Sequence, residues 1–189
     1  MTRTHLSPTR GVYIAQTETR TPLGPMLLAC TERGLAGAWF EGDKHHPPPL
    51  DAPWRTLPVI EQAQEELQAY WRDARHRFSL PLDPQGSDFQ RAVWARLLHI
   101  ASGRTSTYGE VAAALGRPQA ARAVGSAVGR NPLSIIIPCH RVLGSSGALT
   151  GYAAGLDRKR ELLRHETGME NPATAHRAGG QRASRCRCE

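Results

Sequence analysis

Thr107-Tyr108-Gly109-Glu110-Val111-Ala112-Ala113-Ala114-Leu115-Gly116-Arg117-Pro118-Gln119-Ala120-Ala121-Arg122-Ala123-Val124-Gly125-Ser126-Ala127-Val128-Gly129 is the stretch on which the reading of the fold turns. Thr107 and Glu110 have the spacing of a capping box, so a helix is expected to open here and run through Leu115. Gly116 closes it. Pro118 stands at an allowed first-turn position and opens a second helix to about Gly129, which Asn131-Pro132 ends. A short helix, a turn containing glycine and a second helix make a helix-turn-helix.

The second helix is nearly all small residues. One long cation, Arg122, stands among Ala121, Gly125 and Ser126. A helix that reads bases carries Asn, Gln and Arg and suits the major groove, about 12 Å wide. A smooth helix suits the minor groove, about 6 Å wide, and is expected to bind DNA with little base preference.

Upstream, Ser87-Asp88-Phe89-Gln90 fits another capping box, followed by an apolar stripe of Phe89, Val93, Trp94, Leu97 and Leu98. Residues 81–87 form a linker. Residues 11–82 read as a small α+β domain. Gly11–Thr19, Met26–Thr31 and Leu35–Phe40 are expected as strands, with Thr21-Pro22-Leu23-Gly24-Pro25 as a turn. Asp43–Pro53 is a loop and Pro58–Arg77 a helix with Ile60, Ala63, Leu67, Tyr70, Trp71 and Ala74 on one face. Phe78-Ser79-Leu80 is an expected edge strand. Downstream, Ile135-Ile136-Ile137 reads as a short buried strand, Gly144–Gly151 as a loop and Leu156–Glu166 as a last amphipathic helix. Residues 87–167 thus make a C-terminal domain. Residues 168–189, with no apolar period, are expected to be a disordered tail.

The net charge is +7, and it is not spread evenly. Phe89–Glu166 holds eleven Lys/Arg against four Asp/Glu, while the rest of the chain balances. Clustered basic charge points to a polyanion, nucleic acid first. No apolar run is long enough to span a bilayer, and Met1–Gly11 lacks the apolar core of a secretory signal, so a cytoplasmic protein, or a nuclear one in a eukaryote, is expected.

Of four cysteines, Cys30, Cys139, Cys186 and Cys188, only Cys139 sits in a reactive context, Pro138-Cys139-His140-Arg141. A free thiol titrates near about 8.5, so a nucleophilic cysteine needs a neighbouring base. On an extended strand Cys139 and His140 would point to opposite faces, so a bridging water is the expected proton route. Glu166, at the end of the last helix, is the candidate that orients the imidazole. Cys186, Cys188 and His176 match no closed metal site.

Asn131-Pro132 followed by Ile135-Ile136-Ile137-Pro138-Cys139-His140-Arg141-Val142 resembles the active-site signature of the O6-alkylguanine-DNA alkyltransferases, also called methylated-DNA–protein-cysteine methyltransferases. The resemblance runs from Ser87 through Glu166, taking in Tyr108, Ala121-Arg122-Ala123-Val124-Gly125 and Gly151-Tyr152, and more weakly includes Thr21–Pro25. It implies an α+β chain: a small, ribonuclease-H-like N-terminal α/β unit and a mostly helical C-terminal domain with the helix-turn-helix. It implies Cys139 as alkyl acceptor, His140 as base through a water, and Glu166 holding His140. Asn131 would brace the turn before Cys139. Tyr108 would rotate the nucleotide and donate to the leaving guanine, and Arg122 would fill the gap in the stack. The carbonyls of Cys139 and Val142 would recognise the guanine amino group. Tyr152, Ala153 and Ala154 would wall the pocket, the Ala153 amide reaching O6.

The resemblance further implies a monomer that acts once on double-stranded DNA carrying alkylated guanine, without cofactor. O4-alkylthymine is a second candidate substrate. Some relatives hold zinc in the N-terminal unit; Cys30 falls near one such position without a matching set of partners, so no metal is expected. Two other readings remain: a DNA lesion-binding or regulatory module without chemistry, and a cysteine hydrolase, which would leave the basic surplus and the smooth helix unexplained.

Overall fold

The chain first builds a three-stranded antiparallel meander, β1 (Ala15–Thr21), β2 (Gly24–Thr31) and β3 (Gly34–Phe40), in the computed structural model, which describes residues 12–168. The expected turn joins β1 to β2. Thr21 Oγ1 accepts from the Leu23 amide and donates to Gly24 O, and Gly24 takes φ +112°, open to glycine at little cost. The helix α1 (Pro58–Arg72) lies on the sheet through Ile60, Ala63, Leu67 and Tyr70. It stops short of the expected Arg77. Asp73 leaves the helical region, and its carboxylate accepts from the Arg75 amide, a local bond that competes with continued helix. Ala74 therefore falls outside the helical stripe.

Phe78–Leu80 is not a strand. The pairing expected there occurs one step later, where Leu82 bridges Leu35, with Leu35 N–H donating to Pro81 O and Asp83 N–H to Leu35 O. The linker is thus fastened to the edge of β3. A side chain at Gly34 would strike Pro81 O at 2.4 Å, so this close approach requires glycine.

Both capping boxes form. Ser87 opens α2 (Asp88–Leu97) and Thr107 opens α3 (Tyr108–Ala114), each exchanging two bonds with Gln90 or Glu110. Gly116 ends this segment at φ +70°. The second helix of the pair begins as a 3-10 turn at Pro118–Ala120 and becomes α4 (Ala121–Gly129). Its start has no side-chain cap, which leaves the first turn free to tighten.

Ile135–Ile137 is buried, as expected, but it is a turn and not a strand. Ile137 N–H donates back to Leu133 O, and Ile135 takes φ +73°, a costly conformation for a β-branched residue. A short apolar run signals burial without distinguishing strand from turn. The segment hangs on β3 by Ala38 N–H to Pro132 O and Ser134 N–H to Ala38 O. Two short parallel strands, β4 (Ser106–Thr107) and β5 (Val142–Leu143), and the helix α5 (Leu156–Thr167) complete the fold. One apolar cluster runs through both units, from Phe40, Leu67 and Tyr70 to Trp94, Val128, Ile137 and Leu162.

Candidate functional site

Cys139 opens a 3-10 turn, Cys139–Arg141, that follows the Ile135 turn directly. It is 5% exposed and His140 is wholly buried. Because the backbone turns here, the opposed strand geometry expected for Cys139 and His140 does not arise.

Asn131 organises the approach. Its amide nitrogen donates to Leu133 O, to Ile137 O at 2.8 Å and to Cys139 Sγ at 3.0 Å, and its oxygen accepts from the Leu133 amide. One side chain thus closes the turn and touches the thiol. These bonds help hold Ile135 in its strained conformation.

His140 Nε2 lies 2.7 Å from Glu166 Oε1. The other ring nitrogen, Nδ1, is buried without a partner in the described structure. The Glu166 side chain is only 1% exposed, and it receives more than His140. Arg141 grips both its oxygens, Tyr70 Oη donates to Oε1 at 3.0 Å, and the Gly103 amide reaches Oε2. Burial alone would raise its pKa; the bonds from His140 and Arg141 overcome burial and hold it at about 2. Burial lowers the pKa of His140, against the pull of Glu166.

Burial pushes the Cys139 thiol up to about 11, opposed by the Asn131 donor and the charge of Lys159. The thiol therefore rests protonated. Lys159 is wholly buried, and Nζ donates to Val142 O at 2.6 Å and Thr150 O at 2.7 Å. Burial lowers its pKa to about 8. Tyr108 Oη also donates to Thr150 O, so one carbonyl joins Tyr108 to Lys159.

A cavity of about 10 Å³ opens over the sulfur. Val128, Gly129, Asn131 and Ser134 form one side, Gly151, Tyr152 and Ala153 the other. Val142 and Ala154 lie outside this lining. Ala154 is buried behind it, and Ala153 O is tied to the Lys44 amide of the N-terminal unit. On α4, Arg122 and Ser126 are exposed and Ala121 and Gly125 half-buried. Arg122 has no hydrogen bond or ion pair within the described residues. The Tyr108 ring packs near Gly125, where an added Cβ would make ordinary contact at 3.7 Å.

The structure thus joins Asn131 to Cys139 and His140 to Glu166, two bonded pairs that meet where Cys139 and His140 adjoin in the chain, while Tyr108 and Lys159 share Thr150 O. It adds Arg141, Lys159 and Tyr70, to which the sequence reading assigned no part. Lys159, Leu162 and Glu166 share helical spacing, and a charge on such a stripe is a readable sign of a buried partner. The partner of Tyr70, on α1, was not readable. Among the described residues no group of three His, Cys, Asp or Glu side chains could hold a metal. Residues 169–189, including His176, Cys186 and Cys188, lie outside the described residues.

Comparison with known proteins covers both units. Residues 13–84 match the family model described as 6-O-methylguanine DNA methyltransferase, ribonuclease-like domain, and residues 88–168 the one described as its DNA binding domain. A methylated-DNA–protein-cysteine methyltransferase of Methanosarcina barkeri is 48% identical over 148 residues, covering 77% of this chain and 92% of the relative. One from Mycolicibacterium paratuberculosis is 54% identical over 144 residues, covering 76% and 86%. The crystal structure of Mycobacterium tuberculosis OGT in complex with DNA superposes with a TM-score of 0.76 at 40% identity, covering 82% of this chain and 94% of that one.

Proposed function

The chain belongs to the 6-O-methylguanine DNA methyltransferase family, and on that premise we propose that it repairs duplex DNA by moving the alkyl group of O6-alkylguanine, chiefly methyl, onto Cys139. The observation that carries the assignment of Cys139 is the buried imidazole beside it. His140 is held by Glu166 through Nε2, while Nδ1 is left without a protein partner. A water between Sγ and Nδ1 would pass the thiol proton to His140, and the unpartnered Nδ1 is the nitrogen that would receive it.

The smooth face of α4 enters the minor groove, and phosphates position it. The damaged base swings out at a cost of roughly a few kcal/mol, and Arg122 takes its place in the stack. The wall formed by Gly151, Tyr152 and Ala153 must move to admit the base, because the cavity is far smaller than a purine. Val142 O, held by Lys159, faces the guanine amino group. The sulfur lone pair forms the S–C bond as the C–O6 bond breaks. The electrons of that bond go to guanine, whose developing charge a hydrogen bond from Tyr108 stabilises until a proton from solvent neutralises it. The thioether has no good leaving group, so each molecule acts once. O4-alkylthymine presents a similar alkyl oxygen and is a second substrate. Every residue in this account comes from one chain, so a monomer suffices. Its substrate places it with DNA in the cytoplasm, or the nucleus of a eukaryote; no described helix is long and apolar enough to cross a membrane.

The test is to incubate the chain with duplex DNA containing O6-methylguanine and weigh the intact protein. A gain of one methyl, mapped to the Cys139 peptide and absent in Cys139→Ser, is the expected result. Binding without a mass change would instead make the chain a lesion-binding module, and turnover of an ester or amide would make it a hydrolase.

A further inference from the structure

We propose that Tyr70, in the N-terminal unit, is a positioning residue of the active site, its hydroxyl governing how strongly the Glu166 carboxylate holds the His140 imidazole. Tyr70 is wholly buried in the last turns of α1. Its hydroxyl donates to Glu166 Oε1 at 3.0 Å, the same oxygen that lies 2.7 Å from His140 Nε2. A second tie sits on the preceding residue of α5: His165 Nε2 meets Tyr70 O at 2.8 Å, with the two rings edge to face at 5.0 Å. The N-terminal unit is thereby clamped to α5 at the point where Glu166 turns inward.

A buried phenol needs one partner, and here it has a charged one, a stronger and more directional bond than a neutral acceptor provides. Burial and the Glu166 carboxylate both raise the pKa of Tyr70, so it remains a donor across the physiological range. Each donor on Oε1 withdraws charge that His140 would otherwise feel. A carboxylate shared in this way orients the ring without holding it as imidazolium, and Nδ1 stays free to take a proton. The groups facing His140 are Glu166 and Lys159 from α5, Arg141 and Cys139 beside it, and Tyr70 behind Glu166 from α1. Of these, only Tyr70 comes from the N-terminal unit, which gives that unit a part in the chemistry.

Tyr70→Phe keeps the ring and removes the donor. In the full chain labelled with 15N-histidine, the His140 titration midpoint is expected to rise by about half a pH unit or more. The acid limb of the single-turnover transfer rate should rise with it. Adding Tyr70→Phe to Glu166→Gln should leave the His140 midpoint where Glu166→Gln put it. An unchanged midpoint in Tyr70→Phe, or an equal shift in the Glu166→Gln background, overturns the proposal. A purely structural Tyr70 would lower the melting temperature without moving the midpoint. Should Tyr70→Phe not fold, the wild-type chain carrying 13C at the tyrosine ζ carbon decides. The Tyr70 signal must move at the His140 midpoint, and a flat signal overturns the coupling. The kinetic arm rests on Cys139 being the alkyl acceptor, whereas the titrations do not. Absence of transfer in the wild type would defeat the proposed function and leave the Tyr70 question to be settled by NMR.

Discussion

The Asn131 amide nitrogen stands 3.0 Å from the Cys139 sulfur while also binding the carbonyls of Leu133 and Ile137. The turn that carries a strained Ile135 and the donor that eases thiolate formation are therefore one group. Asn131→Asp is nearly isosteric but replaces a donor with a charged acceptor facing two carbonyls and a sulfur. It is expected to cost about 1–3 kcal/mol in stability and to slow transfer roughly 100-fold, since each 1.4 kcal/mol on the barrier is about tenfold. Single-turnover rates and denaturant melts check both; a rate within twofold of wild type would separate Asn131 from the chemistry.

Arg122 is exposed on α4 and engages nothing within the described protein. If it serves to fill the stack, Arg122→Ala should slow transfer from duplex DNA about tenfold or more, because an extrusion cost of roughly a few kcal/mol loses its compensation. Reaction with free O6-benzylguanine, which needs no extrusion, should be unchanged. Equal losses on both substrates would place Arg122 elsewhere in the mechanism.

Lys159 ties Val142 O and Thr150 O together at the buried edge of the site. Lys159→Met retains the stem and removes the ammonium. The two carbonyls lose a donor, and the thiol loses a nearby positive charge. Transfer should fall about tenfold with duplex and free base alike, and the thiol titration, read by ultraviolet absorbance, should move up. A thiol midpoint that stays or falls would argue against Lys159 acting on Cys139.

The pH dependence of stability follows from two depressed pKa values. His140 is held below its ordinary 6.5, so the unfolded chain binds more protons and stability declines as pH falls below that value. Glu166 sits at about 2 against an ordinary 4.5. Its contribution, on the order of 3 kcal/mol, is complete above 4.5 and lost between 4.5 and 2. Urea melts across this range should show both declines. In Glu166→Gln the loss below 4.5 should be reduced, and an identical curve would contradict the assignment.

Ala153 faces the cavity and Ala154 lies behind it. Ala153→Gly should therefore raise reactivity toward O6-benzylguanine relative to O6-methylguanine more than Ala154→Gly does. The ratio of the two rates, measured for each variant, checks the order; a larger gain for Ala154→Gly would show that the wall rearranges before the base enters.

Local rules written into neighbouring residues were enough to read much of this protein. The capping boxes at Ser87 and Thr107, the turn at Thr21–Gly24, the stop at Gly116 and the buried stripe of α1 each depend on contacts within a few positions. The Pro138–Arg141 segment pointed to Cys139 and His140 in the same way, whereas Glu166, 26 positions from His140, was picked from the end of the last helix and the wider resemblance. The misread segments were those where a side chain or a distant strand overrides local pattern. Asp73 ended α1 early by bonding its own backbone, and β3 drew the linker at Leu82 rather than at Phe78. Ile135–Ile137 is as apolar as a strand but is bent by Asn131 and hung from Ala38.

Composition and local pattern thus determined most of the elements, the two units and the smooth helix pair, and singled out Cys139 as the candidate nucleophile. Tertiary structure alone decided what surrounds it: Tyr70 reaching Glu166 across 96 positions, Lys159 bridging Val142 and Thr150, and Lys44 latching Ala153. Such pairings leave little trace in sequence, because a buried hydroxyl or ammonium announces only that it needs a partner. Which partner it finds is set by how α1, α5 and the loops pack around a shared core.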